Sequence, residues 1–287
     1  ATLIEVGFNE ILSGAGVRRT ETWEYEAAFG PSTAGVLYVL TPGSVPPLDE
    51  VVACAQLHNL PVLVDAAAQL PPRSNLTAIA ETGANLVVFS GGKSIRGPQS
   101  SGILAGQRDL VGAAFVQMMD LDEHPTLWIP PEELVDQQCL VGGPPRHGLG
   151  RGLKVSKETI IGLLTALELF QSGLYDKEID KQRRVLQQIV DGIHDLPIDC
   201  TIVNSLDGES SPLLEIVIRE NQIGRNAFDI CRALRSGKPP IYPGHKRLSD
   251  NALLINALHL DEIMAEIVIQ RLREETCPSN QSANQVR

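Results

Sequence analysis

Aromatic side chains make up only 4% of this 287-residue chain. That scarcity argues against a platform of stacked rings for nucleic acid. Positive charge is also short. With 24 Lys and Arg against 35 Asp and Glu, the formal net charge is -11 and the pI is near 5.0, so no phosphate backbone is expected as a partner. Cysteine is sparse and scattered. Cys54, Cys139, Cys200, Cys231 and Cys277 are odd in number and form no C-x-x-C pair. A disulfide framework or a zinc site is therefore not expected, and a reducing cytoplasm is the default compartment. No apolar run reaches the ~20 residues that span a bilayer, and no basic-then-apolar signal segment opens the chain. There is no G-x-G-x-x-G or Walker pattern, which sets aside an ordinary nucleotide-binding domain.

What is present is ample apolar material: 43% of the residues are hydrophobic and 21% charged, enough for a large core in one or two domains. Strands are expected over 2–6, 35–40, 61–65, 85–90 and 101–105, with helices over 20–29, 48–59, 75–82 and 109–119. Strands that read as continuous apolar runs separated by helices predict an α/β fold with a parallel sheet covered on both faces. From 124 to 154 prolines and glycines crowd the chain, which reads as an irregular crossover. Helices are expected over 157–170 and 177–194. Strands over 199–203, 213–218, 240–242 and 252–256, with helices over 225–234 and 261–275, then predict a smaller α+β domain. The expected division is a large domain over 1–135, a crossover over 136–155, a small domain over 156–276 and a disordered tail over 277–287. The chain begins at Ala1 and enters an apolar segment almost at once, which reads as a missing upstream portion.

The stretch from Pro61 to Gly102 carries the chemistry. An apolar run ends in Asp65, a second ends in Ser90, and Gly91 and Gly92 then present Lys93. In a parallel sheet, ligands sit outside the carboxyl ends of the strands, and both runs end there. A lysine on such a turn is expected to be partly desolvated, which would make it a usable amine nucleophile; an ordinary exposed loop lysine is the alternative. A carboxylate at the end of PVLV is costly without a cation or donors, although Asp is also a common helix N-cap. Together, Asp65, Ser90 and Lys93 meet the needs of pyridoxal phosphate: a lysine for a Schiff base, an acid for the ring nitrogen and a donor for the phosphate.

In these residues the sequence resembles the aspartate aminotransferase superfamily, fold type I, and more closely the L-seryl-tRNA(Sec) selenium transferase-like group that includes D-glucosaminate-6-phosphate ammonia-lyase. The resemblance rests on VDAAAQLPP at 64–72, FSGGKSIRGPQSSGILAG at 89–106, GRGLKVSKE at 150–158 and PPIY at 239–242. It implies a three-layer, parallel-rich α/β fold, incomplete at its N-terminus, with a smaller C-terminal α+β domain. It also implies pyridoxal 5'-phosphate as cofactor, Lys93 as the Schiff-base lysine and Asp65 as partner of the pyridine nitrogen. Ser90 would help hold the phosphate, and Gln69 would meet the ring hydroxyl or the substrate. Gly97, Pro98 and Gln99 match a turn where subunits often meet, so a homodimer or larger ring is implied.

Arg151 and Lys154 lie on a glycine-flanked turn, where a guanidinium can grip a carboxylate or phosphate. The resemblance implies that they orient a small anionic amino substrate; a solvated helix entry is the plainer alternative. His147, four residues earlier, is either a proton shuttle or a loop histidine. The implied reaction is α,β-elimination with ammonia release, in preference to selenium transfer on tRNA, because a tRNA enzyme should carry a basic footprint. One departure stands out: no glycine-rich strand-to-helix loop for the cofactor phosphate precedes Asp65. A partial sequence and a shortened, noncatalytic remnant or interaction module both fit that departure.

Overall fold

A computed structural model describes residues 2–7, 11–12, 16–17, 19–41, 44–203 and 211–276. Thr41-Pro42-Gly43, a turn by its composition, falls partly outside these residues, and the tail expected over 277–287 falls wholly outside. The chain divides into two compact units, Ala1–Ser172 and Gly173–Arg287.

The first unit opens with residues 2–6, which form no strand. A short antiparallel pair follows, β1 (Ile11–Leu12) with β2 (Gly16–Val17). Helix α1 (Thr22–Ala28) begins with a capping box between Glu21 and Glu24, which satisfies free N–H groups of its first turn. Strand β3 (Val36–Val39) leads to α2 (Leu48–Leu57), where Asp49 and Glu50 sit favourably at the positive end of the helix. Then come β4 (Val62–Asp65), α3 (Asn75–Glu81), β5 (Leu86–Ser90), β6 (Gly102–Gly106), α4 (Arg108–Gln117) and α5 (Lys157–Gln171).

The sheet runs in the order β3-β4-β5-β6, and β3, β4 and β5 are parallel. Strand β6 runs antiparallel to β5, so the sheet is mixed rather than wholly parallel. The cause is the connection over 91–101, which contains no helix, whereas a parallel return needs a long crossover. One sheet face buries Val36, Tyr38, Val62, Val64, Val87 and Phe89. On the other face Leu37 and Val39 are 53% and 58% exposed, so β3 is not covered on both sides as its apolar run suggested.

The second unit contains α6 (Asp176–Ile193), β7 (Ile198–Val203), β8 (Leu213–Ile218), α7 (Glu220–Ile223), α8 (Ala227–Ser236), β9 (Ala252–Asn256) and α9 (Glu262–Thr276). Its sheet is antiparallel with β8 in the centre. Leu214, Ile216 and Ile218 of β8 are buried in one core with Leu186 and Ile189 of α6, Leu234 of α8 and Leu272 of α9. Residues 240–242 form no ladder: Ile241 donates its N–H to the Leu234 carbonyl at 2.9 Å, and only Gly244 makes a bridge, to Leu254. Prolines at 239 and 240 carry no N–H, which explains why an apolar run there makes no strand. Because Ile216 is fully buried in the central strand, Ile216→Ala is expected to cost about 2–5 kcal/mol, readable as a lower denaturant midpoint.

Candidate active site

Asp65 is the last residue of β4, in register with Val39 of β3 and Val88 of β5. Its Oδ1 accepts a hydrogen bond from the Ala67 N–H at 3.0 Å, an Asx turn that carries the chain out of the sheet. No hydrogen bond to Oδ2 is found among the described residues. Ser90 ends β5 two positions beyond Val88, and Lys93 follows on the turn. The acid and the lysine loop therefore leave the carboxyl ends of neighbouring parallel strands.

The lysine loop is tightly held. Gly91 N–H donates to the Ser101 carbonyl at 2.9 Å, and Gly97 N–H donates to the Gly91 carbonyl at 2.8 Å. Ser94 Oγ donates to the Leu70 carbonyl at 2.6 Å, which ties this loop to the one that follows Asp65. Both glycines before the lysine are set by close packing. A Cβ on Gly91 would lie 2.2 Å from Ser101 Oγ and 2.7 Å from Leu163 Cδ1 of α5, and a Cβ on Gly92 would lie 2.5 Å from Gln99 Cα. Gly92→Ala must therefore move backbone, and it is expected to cost about 1–3 kcal/mol. A thermal melt checks this.

Lys93 itself is exposed and makes no ion pair among the described residues. The partial desolvation expected for it is not found within this chain, because the glycine turn carries the side chain outward. Gln69 is a brace: its Nε2 donates to the Leu40 carbonyl at 2.9 Å, and its own carbonyl accepts from Asn75 Nδ2 at 2.7 Å. It joins the loop after β4 to the end of β3.

His147, Arg151 and Lys154 converge on an acid that the sequence reading passed over, Asp120. Asp120 Oδ1 accepts from Arg151 Nε at 2.5 Å and lies 3.1 Å from His147 Nδ1. Asp120 Oδ2 accepts from Lys154 Nζ at 2.5 Å. The backbone makes the meeting possible. Asp120 and His147 form an antiparallel bridge, in which Leu121 N–H donates to the Arg146 carbonyl and Gly148 N–H to the Met119 carbonyl, both at 2.8 Å. Gly148 is needed there, since a Cβ would come within 2.0 Å of the Gln117 carbonyl oxygen. A signal for Asp120 did exist. It stands between Met119 and Leu121, both buried, and an acid in such a setting needs cations.

The hydrogen bonds from Lys154 and Arg151 hold the Asp120 carboxyl well below the usual carboxylate range. An unfolded Asp titrates near ~3.9, so this cluster contributes in full above that pH and is lost only as pH falls through the lowered native value. The Asp120 side-chain resonance is therefore expected to stay that of an ionised carboxylate at a pH where exposed acids are half protonated. A titration following that resonance checks this.

A separate cavity of about 700 Å³ opens in the second unit, lined by residues that include Pro240, Tyr242, His245, Lys246, Leu254 and Met264. None of Asp65, Ser90, Lys93, Asp120 or Arg151 lines it.

With this geometry in place, the fold is the mixed, parallel-rich α/β sheet of the fold type I architecture. The chain superposes on a solved D-glucosaminate-6-phosphate ammonia-lyase with a TM-score of 0.65 at 24% identity, covering 95% of this chain and 63% of that one. Among curated proteins it is 25% identical over 275 residues to D-glucosaminate-6-phosphate ammonia lyase of Salmonella typhimurium, covering 94% of this chain and 65% of that protein. It is also 25% identical over 280 residues to a 5'-C-glycyluridine monooxygenase-decarboxylase of Streptomyces sp, covering 96% of this chain and 62% of that protein. The chain thus spans less than two thirds of the length of these relatives. No family model matches it.

Proposed function

We propose that the chain forms part of a pyridoxal phosphate-dependent lyase that removes ammonia from an anionic amino acid or amino sugar acid. The observation that carries this reading is the pairing of Asp65 and the Lys93 loop on neighbouring strand ends, braced by Ser94 Oγ on the Leu70 carbonyl at 2.6 Å. The residues present fit the cofactor. Asp65 keeps one carboxylate oxygen without a hydrogen bond among the described residues, which suits a ring N–H donor, while Lys93 offers an amine and Ser90 a hydroxyl. Bound there, pyridoxal phosphate would supply an electron sink next to the carbon that bears the substrate's amine.

The residues then have distinct tasks. Asp65 would hold a proton on the ring nitrogen by charge. Lys93 would hold the cofactor through Nζ and, once the substrate's amine is in place, would take the α-proton on the same atom. Loss of that proton and of the β-substituent, followed by addition of water, would convert the substrate to a keto acid and ammonia. Ser90 would donate to the cofactor phosphate, and Gln69 fixes the loop that carries Asp65. Arg151 and Lys154 receive the anionic group of the substrate, with His147 beside them. The net charge of -11 supports a small substrate over tRNA.

A cytoplasmic homodimer or larger ring belongs to the same reading, and the apolar side chains exposed on β3 and α5 supply surface for it. The test is turnover. Protein loaded with pyridoxal phosphate is offered D-glucosaminate 6-phosphate and a set of 2-amino-3-hydroxy acids, and keto acid and ammonia are measured. Equal amounts of both from at least one of these are expected; none from any would end this reading.

A further inference from the structure

Asp120 does something unusual with the two cations beside it. Arg151 belongs to a 3-10 turn, Leu149–Leu153, and Lys154 is the residue that caps it. Two positive side chains so close would repel, and each has a long, flexible stem. Asp120 takes one on each oxygen: Arg151 Nε on Oδ1 and Lys154 Nζ on Oδ2, both at 2.5 Å. Its own side chain is 16% exposed, whereas those of Arg151 and Lys154 are 49% and 62% exposed. The carboxylate is thus the anchored member and the cations face solvent.

The bonds used matter as much as the bonds made. Arg151 reaches Asp120 through Nε alone. Its two terminal nitrogens, which form the fork that grips carboxylate and phosphate oxygens in parallel, have no partner among the described residues. Lys154 likewise keeps two N–H donors beyond the one given to Asp120. The two cations and the one acid leave the cluster with a surplus positive charge.

We propose that Asp120 is a positioning residue: it holds Arg151 and Lys154 side by side, with their remaining donors outward, as a preorganised receptor for the phosphate or carboxylate end of the substrate. This rests on the reading above, in which these two cations receive the substrate's anionic group. Preorganisation raises affinity by removing the cost of ordering flexible groups at the moment of binding. The opposite view, that Asp120 is a resident anion competing with the ligand, predicts the opposite sign for the same substitution.

Asp120→Asn separates the two. The amide keeps an oxygen for Arg151 Nε but turns an N–H₂ toward Lys154 Nζ, which is itself only a donor, so the pairing of the cations is lost while the net charge becomes more positive. Binding of inorganic phosphate is measured by calorimetry for the unaltered chain, Arg151→Ala and Asp120→Asn. Arg151→Ala is expected to lose this binding, which assigns it to the cluster rather than to Ser90. Asp120→Asn is expected to bind at least about tenfold more weakly, the scale on which outer-shell orienting partners act. Equal or tighter binding by a folded Asp120→Asn would overturn the proposal.

A second measurement needs no substitution at Asp120. The Nε–H resonance of Arg151 is expected to keep its hydrogen-bonded position when phosphate saturates the unaltered protein; a shift to the solvent-exposed position would show the ligand displacing Asp120 and would overturn the proposal. If the unaltered chain binds no phosphate, or if Arg151→Ala binds it equally well, the anion-site reading fails and Asp120 loses its role with it. The assignment of Lys93 and Asp65 is then still judged by cofactor attachment.

Discussion

Lys93→Ala is expected to abolish covalent attachment of pyridoxal phosphate and to reduce turnover by at least about 10³-fold, since a positioned proton-transfer group is alone worth roughly 10²–10⁴ and in the proposed site this lysine would also anchor the cofactor. The substitution should leave the fold intact. Lys93 is exposed, and the loop is held by its neighbours: Gly91 on Ser101, Gly97 on Gly91 and Ser94 on Leu70. Among the described residues only the Lys93 carbonyl takes part, accepting from Arg96 N–H at 2.9 Å, and alanine keeps it. The unaltered protein should gain the long-wavelength absorption of lysine-bound cofactor, and the alanine variant should melt at the same temperature while showing only free cofactor. Loss of absorption together with loss of the fold would point to a structural lysine instead.

Asp65→Asn has the second largest expected effect, a fall of about 10²–10³ in turnover with cofactor still attached, the scale found when one preorganised electrostatic partner is removed. Asparagine retains the side-chain oxygen that accepts from Ala67 N–H at 3.0 Å, so the turn at the end of β4 should persist. What it lacks is the negative charge that, in the proposed site, would keep the ring nitrogen protonated. Attachment at Lys93 should therefore survive while the α-proton is removed slowly, and a substrate deuterated at the α-carbon should show a larger isotope effect than with the unaltered protein. Unchanged turnover would mean that Asp65 does no more than shape the turn.

How much of this was legible in the sequence depends on distance along the chain. Strands β4 and β5 stand where the apolar runs before Asp65 and Ser90 put them, because a buried strand and its polar end are local signals. Strand β8 and strand β9 match their expected bounds for the same reason. Direction was not local: β6 has the composition of a buried strand, but only the missing helix over 91–101 makes it antiparallel. Residues 2–6 and 240–242 have strand-like composition and find no partner strand among the described residues, and the two prolines at 239 and 240 account for the second case. The basic cluster was read as separate cations over 147–154. Their common partner lies 27 to 34 residues earlier and is joined by a backbone bridge that no periodicity announces. Asp120 could still have been suspected from its buried neighbours, by the same reasoning that singled out Asp65.

The most direct measurement is chemical mapping of the cofactor's attachment. The protein is mixed with pyridoxal phosphate, reduced with borohydride, digested and analysed by mass spectrometry. One pyridoxyl group per chain, on the peptide that contains Lys93, is the predicted result. Label spread over exposed lysines such as Lys154 and Lys246, or no label at all, would contradict it.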